Sequence, residues 1–137
     1  MQKEGKMSLR HFGNINMLIV EDDAFNIQLI RSLLSKISDT NIISTDDGLK
    51  ALEILESVDK KIDIVLLDLH LPIKSGREVL EIIRGSEKFD DLPVLIISVD
   101  GMDEIELRKM GANDFILKPF DIDEFAVKIS TNLEDKK

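Results

Sequence analysis

The sequence predicts an α/β domain built on a doubly wound, five-stranded parallel sheet with helices on both faces. Three observations carry that expectation. Short, unbroken apolar runs rich in Val, Ile and Leu recur along the chain, and such runs suit strands buried on both faces of a parallel sheet. Between them lie segments whose apolar residues repeat at helical spacing, giving a strand–helix alternation with right-handed crossovers. Several runs end abruptly in a polar or charged residue, and the carboxyl ends of parallel strands are where open α/β sheets bind ligands.

Each element has its own justification. Residues 1–15 are polar with scattered basic side chains and read as a flexible leader. Met17-Leu18-Ile19-Val20 is the first strand, running straight into Glu21-Asp22-Asp23. The helix after it places Ile27, Ile30, Leu33, Leu34 and Ile37 on one face. Asn41-Ile42-Ile43-Ser44 forms a short second strand, and Asp46 or Asp47 caps a helix with the apolar face Ala51, Leu52, Leu55 and Val58. The third strand, Ile64-Val65-Leu66-Leu67, ends at Asp68, and Pro72 stops any continuation. After a loop containing Gly76, a third helix buries Val79, Leu80, Ile82 and Ile83. Pro93 opens the fourth strand, Val94-Leu95-Ile96-Ile97, which ends at Ser98. Residues 101–110 hold only a short helix before Gly111 stops it. Phe115-Ile116-Leu117 is the fifth strand and ends at Lys118-Pro119. A last helix presents Ile122, Phe125, Ala126, Ile129 and Leu133, leaving 135–137 as a solvated tail. One domain over 16–134 accounts for the whole pattern.

Composition narrows the function. At 137 residues the chain can bury one core without covalent staples. It has no cysteine, so disulfides and thiolate metal sites are excluded and a reducing, cytoplasmic setting is expected. No apolar run is long enough to span a membrane, and the leader lacks a signal-peptide core. The 27 Asp and Glu outnumber the 18 Lys and Arg, a formal charge of −9. That balance argues against direct nucleic-acid binding, which draws its affinity from neutralising phosphates. It suits a divalent cation or a basic protein surface.

The strand ends, taken together, carry the chemistry. The first offers Glu21 and Asp22, the third Asp68, the fourth Ser98 and the fifth Lys118. Singly, each has an ordinary explanation: Asp68 as a turn residue, the acidic pair as helix N-terminal charge, Ser98 as a cap, Lys118 as a solvated loop residue. Jointly they do not, since a doubly wound sheet brings all these ends to one edge. Three carboxylates in one cleft repel unless a cation sits among them, and oxygen ligands with room for water suit Mg2+. A hydroxyl and an ammonium beside them suit the oxygens of a phosphoryl group. A carboxylate can itself be the nucleophile, forming an aspartyl-phosphate.

The chain resembles a response-regulator receiver domain of two-component signalling, of the chemotaxis-regulator type. The resemblance runs from Asn16 to Leu133. It rests on Leu18-Ile19-Val20-Glu21-Asp22-Asp23, on Leu67-Asp68-Leu69-His70-Leu71-Pro72 with Gly76, on Ile97-Ser98, and on Gly111-Ala112-Asn113-Asp114-Phe115 leading to Lys118-Pro119-Phe120. It implies a flavodoxin-like sheet with strand order 2-1-3-4-5 and the ligand at its switch point. It further implies that Asp68 accepts a phosphoryl group from a histidine kinase or a histidine phosphotransfer protein. Asp22 and Asp68 would bind Mg2+ directly, Glu21 through water, and the backbone carbonyl of His70 would complete the set. Ser98 and Lys118 would contact the phosphoryl oxygens, and Phe115 would be the aromatic switch that follows Ser98. The output would be a change in binding to a downstream protein target, with no enzymatic turnover beyond self-phosphorylation from a donor and autodephosphorylation.

Some positions depart from the family pattern. Phe115 stands where Tyr is commoner, so a switch there works by packing without a hydroxyl. Val99 follows the switch hydroxyl where a small residue is usual, and Lys74-Ser75 precedes Gly76 where a hydrophobic–Asp pair is usual. His70 is a lone loop histidine, far short of the three or four clustered ligands of a zinc site. Two other readings compete. A small Mg2+-dependent phosphohydrolase with an aspartyl-phosphate would place its two acids two apart after the first strand, whereas this chain reads Glu21-Asp22-Asp23. A degenerate receiver used only for binding is disfavoured by the intact acids, Ser98 and Lys118.

Overall fold

A computed structural model describes residues 8–57, 61–69, 75–99 and 103–134. Its elements in chain order are β1 (Asn14–Val20), α1 (Ala24–Ser35), β2 (Asp39–Thr45), α2 (Gly48–Glu56) and β3 (Ile64–Asp68), followed by α3 (Gly76–Arg84), β4 (Val94–Ser98), α4 (Glu104–Lys109), β5 (Asp114–Leu117) and α5 (Ile122–Glu134). The strands form one five-stranded sheet in the order β2-β1-β3-β4-β5. Every neighbouring pair is parallel. The expected doubly wound topology is therefore the observed one.

Side chains alternate across the strands and feed two apolar layers. Met17 and Ile19 of β1, Leu66 of β3 and Ile97 of β4 pack under α1 and α5, meeting Ile30, Leu34, Phe125 and Ile129. Leu18, Val20, Leu67 and Ile96 point the other way, against Ala51, Leu80, Ile83 and Leu107 from α2, α3 and α4. The central strands β3 and β4 are buried along their whole length, as their unbroken apolar runs required.

Helix starts are set by short polar side chains. Asp23 accepts from the Phe25 N–H at 2.9 Å and Asp47 from the Leu49 N–H at 2.8 Å, each satisfying an orphan donor of the first turn. At α3 the Ser75 hydroxyl accepts from the Glu78 N–H while the Glu78 carboxylate accepts from the Ser75 N–H, a reciprocal capping box. Ser75 thus does local structural work at a position where the sequence departs from the family pattern.

Two expectations need correction. Ile82 is 44% exposed, so α3 buries Val79, Leu80 and Ile83 without it. At about 100° per residue, Ile82 sits well off the stripe those three define. Residues 8–15, expected to lie in a flexible leader, are instead structured. Leu9 is wholly buried in the α1–α5 layer, with its N–H donating to the Ile37 carbonyl at 2.6 Å. Arg10 donates to the carbonyls of Ser35 and Lys36 at 3.2 Å each, placing a cation on the carboxyl end of α1. Gly13 then turns the chain into β1 with φ of +73°, a conformation that costs glycine no Cβ clash.

Candidate functional site

The carboxyl edge of the sheet collects the polar strand ends. The acids Glu21 and Asp22 follow β1 directly, and Asp68 is the last residue of β3, the strand beside it. One carboxylate oxygen from each of Glu21, Asp22 and Asp68 lies within 4.8 Å of the others. Glu21 is fully buried and Asp68 nearly so, while Asp22 is exposed and opens the group to solvent. Ser98 ends β4 at 9% exposure, next to Asp68's register partner Ile97. Lys118 follows β5, and its N–H donates to the Ser98 carbonyl at 2.9 Å. The Lys118 ammonium reaches Glu21 Oε1 at 3.6 Å.

Glu21 is under electrostatic load. Burial and the neighbouring Asp68 carboxylate push its pKa from 4.5 up to about 6, against the opposing pull of the Asp23 N–H and of Lys118. Its Oε2 accepts from the Asp23 N–H at 3.1 Å, whereas Oε1 is a buried oxygen with no hydrogen-bond donor. A buried carboxylate oxygen left that way costs free energy unless something further satisfies it. The donor set here is all oxygen, with three carboxylates against one nearby ammonium, which fits a hard divalent cation.

Gly76, the first residue of α3, sets how closely the start of that helix approaches the end of β3. Its N–H donates to the Leu69 carbonyl at 3.0 Å. A Cβ there would run into the Asp68 carbonyl oxygen and come within 2.7 Å of the Leu69 Cα. The glycine is needed because backbone passes against backbone directly behind the acid.

The structure thus brings Glu21, Asp22, Asp68, Ser98 and Lys118 to one edge, as the strand-end pattern expected. His70 lies outside the described residues. Phe115 is 4% exposed and packs in the α2–α3–α4 layer, so its ring is inward. Val99, beside Ser98, is 67% exposed at the rim. Residue-by-residue reading missed the surroundings of Phe115. The Arg108 guanidinium lies 5.1 Å from the centre of its ring, and Asp114 pairs with Arg108 and Lys128. The available signal was the spacing of Glu104 and Arg108 on the short fourth helix, which pair at 3.0 Å.

Among the described residues no helix is long and apolar enough to cross a membrane. Residues 17–130 match the response regulator receiver domain family. Chemotaxis protein CheY-3 of Vibrio cholerae is 36% identical over 109 residues, covering 78% of this chain and 82% of that protein. The polar-differentiation response regulator DivK of Brucella ovis is 32% identical over 122 residues, covering 88% of this chain and 97% of its own. In three dimensions the fold resembles the receiver domain of a Pseudomonas aeruginosa sensor histidine kinase, solved with a magnesium ion in its active-site cleft. That likeness has a TM-score of 0.79 at 23% identity and covers 89% of this chain and 99% of the other. Sheet order and sequence agree, and the chain belongs to the response regulator receiver domains of two-component systems.

Proposed function

We propose that this protein is a phosphorylatable switch in which Asp68 accepts a phosphoryl group from a phosphohistidine on a histidine kinase or phosphotransfer protein. The observation that carries the reading is the convergence of Glu21, Asp22 and Asp68 within 4.8 Å, with Lys118 alongside. In the transfer, an Asp68 carboxylate oxygen forms a bond to phosphorus as the phosphorus–nitrogen bond breaks, and the imidazole leaves with that electron pair. Burial at 5% exposure restricts water around the acceptor. Lys118, standing beside Glu21, offers a point charge for the phosphoryl oxygens, and the Ser98 hydroxyl offers a donor.

Asp22 and Asp68 would hold Mg2+ directly and Glu21 would support it through water, with the His70 carbonyl as a further ligand. Bound there, the ion would neutralise charge on the carboxylates and on the transferring group. Glu21 Oε1, buried without a hydrogen-bond donor and with Lys118 no nearer than 3.6 Å, and the raised pKa of that residue both support a cation in this place. Phosphorylation adds a charge of about −1.5 to −2 at the sheet edge. Ser98, drawn toward it, would change the packing around Phe115 and hence which protein binds the face formed by α4, β5 and α5.

The test is labelling with acetyl phosphate or a cognate phosphorylated kinase in Mg2+. One acid-stable, base-labile phosphoryl group is expected, absent in Asp68→Asn and absent in EDTA. Full labelling of Asp68→Asn at another position would overturn the assignment. Steady release of inorganic phosphate from small organic phosphates would instead mean a phosphohydrolase.

A further inference from the structure

The ring of Phe115 is already buried, and one side chain closes over it. Arg108 projects from α4 so that its guanidinium lies 5.1 Å from the ring centre. The same guanidinium is tied down on every edge. Its Nε and Nη2 reach Glu104 Oε2 at 3.0 Å, Nη1 donates to the Asn113 carbonyl at 3.0 Å, and Nη2 reaches Asp114 Oδ1 at 3.3 Å. Asp114 is anchored in turn by Asn132 of α5, whose amide donates to Oδ2 at 3.1 Å. The Phe115 backbone is held too: its N–H donates to Asp114 Oδ1 at 2.9 Å and its carbonyl accepts from Lys128. A planar guanidinium does this better than an ammonium, since it can stack on a ring face while its edges pair with carboxylates.

We infer that Arg108 is a positioning residue, a latch that holds the Phe115 ring in its buried position and couples that ring to α4 through Glu104 and to β5 and α5 through Asp114. The inference rests on the switch role proposed for Phe115 and deepens it. Packing alone must drive a switch that has no hydroxyl. Here the packing includes a cation on the outer side of the ring, carried by the helix that would have to respond. Loss of the latch should free the ring from the helix without disturbing the phosphoacceptor, because none of the latch's partners is Glu21, Asp22, Asp68 or Lys118.

The experiment is NMR on protein labelled with ring-13C phenylalanine and methyl-13C leucine, comparing the native chain with Arg108→Met and Arg108→Lys. Met keeps an unbranched apolar stem and loses the charge; Lys keeps the charge and loses the planar stack. Phe120 and Phe125, packed edge-to-face at 5.2 Å in the opposite layer, serve as internal controls. In Arg108→Met without any phosphoryl analogue, the population of Phe115 away from its buried position should rise about two- to fivefold, with Phe120 and Phe125 unmoved. Arg108→Lys should fall between Met and native. With beryllofluoride and Mg2+, Phe115 and Leu107 signals should shift together in the native protein and separately in Arg108→Met. Phe115 signals in untreated Arg108→Met identical to native would overturn the latch, as would equal changes in all three rings. If beryllofluoride never reaches Phe115 in the native protein, the switch reading fails, while the untreated comparison still decides the latch.

Discussion

Replacing Glu21 with Gln should make the metal-free protein more stable at neutral pH, although it removes a charge beside Lys118. Glu21 is fully buried, and burial together with Asp68 raises its pKa from 4.5 to about 6. Between those two values the folded protein holds more protons than the unfolded chain, so stability falls as pH rises through that window. Above about pH 6 the penalty is present in full. At about 1.4 kcal/mol per pH unit, the shift corresponds to on the order of 1–2 kcal/mol. Gln keeps an oxygen to accept from the Asp23 N–H and carries no charge to desolvate. In EDTA at pH 7.5, Glu21→Gln should therefore melt about 4–8 °C above the native protein, taking roughly 4 °C per kcal/mol for a chain of this size. The two should converge near pH 4.5, where the native carboxyl is protonated. Added Mg2+ should narrow or reverse the gap, because it stabilises the native site through linkage and the variant has lost one supporting carboxylate. Thermal melts by circular dichroism over pH 4–8, with and without Mg2+, read all of this. A native protein whose metal-free stability is flat from pH 4.5 to 6, or a variant that melts lower at pH 7.5, would refute the reasoning.

Three further outcomes follow from the geometry. Mg2+ should raise the melting temperature of the native protein, and Asp22→Ala should abolish both that rise and the labelling of Asp68; labelling that survives EDTA would count against the metal. Leu9→Ala, in the wholly buried segment ahead of β1, should cost about 2–5 kcal/mol in urea unfolding. A cost near zero would show that residues 8–13 add nothing to the core. Gly76→Ala should cost roughly 1–3 kcal/mol and also slow phosphorylation, since its Cβ pushes on the backbone of Asp68 and Leu69. Unchanged phosphorylation kinetics in a folded Gly76→Ala protein would mean that this close backbone approach does not position the acid.

Much of the fold and most of the site were legible in the sequence, because both were written in local patterns. Apolar runs such as 64–67 and 94–97 can be satisfied only by strands buried on both faces, and the residues that end them must then meet at one edge. That is why Asp68, Ser98 and Lys118 stand out in the sequence alone. The tertiary structure alone decided what depends on neighbours distant in the chain. Leu9 looked like part of a polar leader, and only the carboxyl end of α1 gives its backbone a partner and its side chain a core. Ile82 matched its apolar neighbours in composition, yet the orientation of α3 on the sheet turned it to solvent. Arg108 carries no local mark beyond its helical spacing from Glu104; only β5 places Phe115 beneath its guanidinium. Hydrophobicity and charge belong to a residue, but burial and pairing belong to its surroundings, and those form only when the crossovers lay the strands side by side.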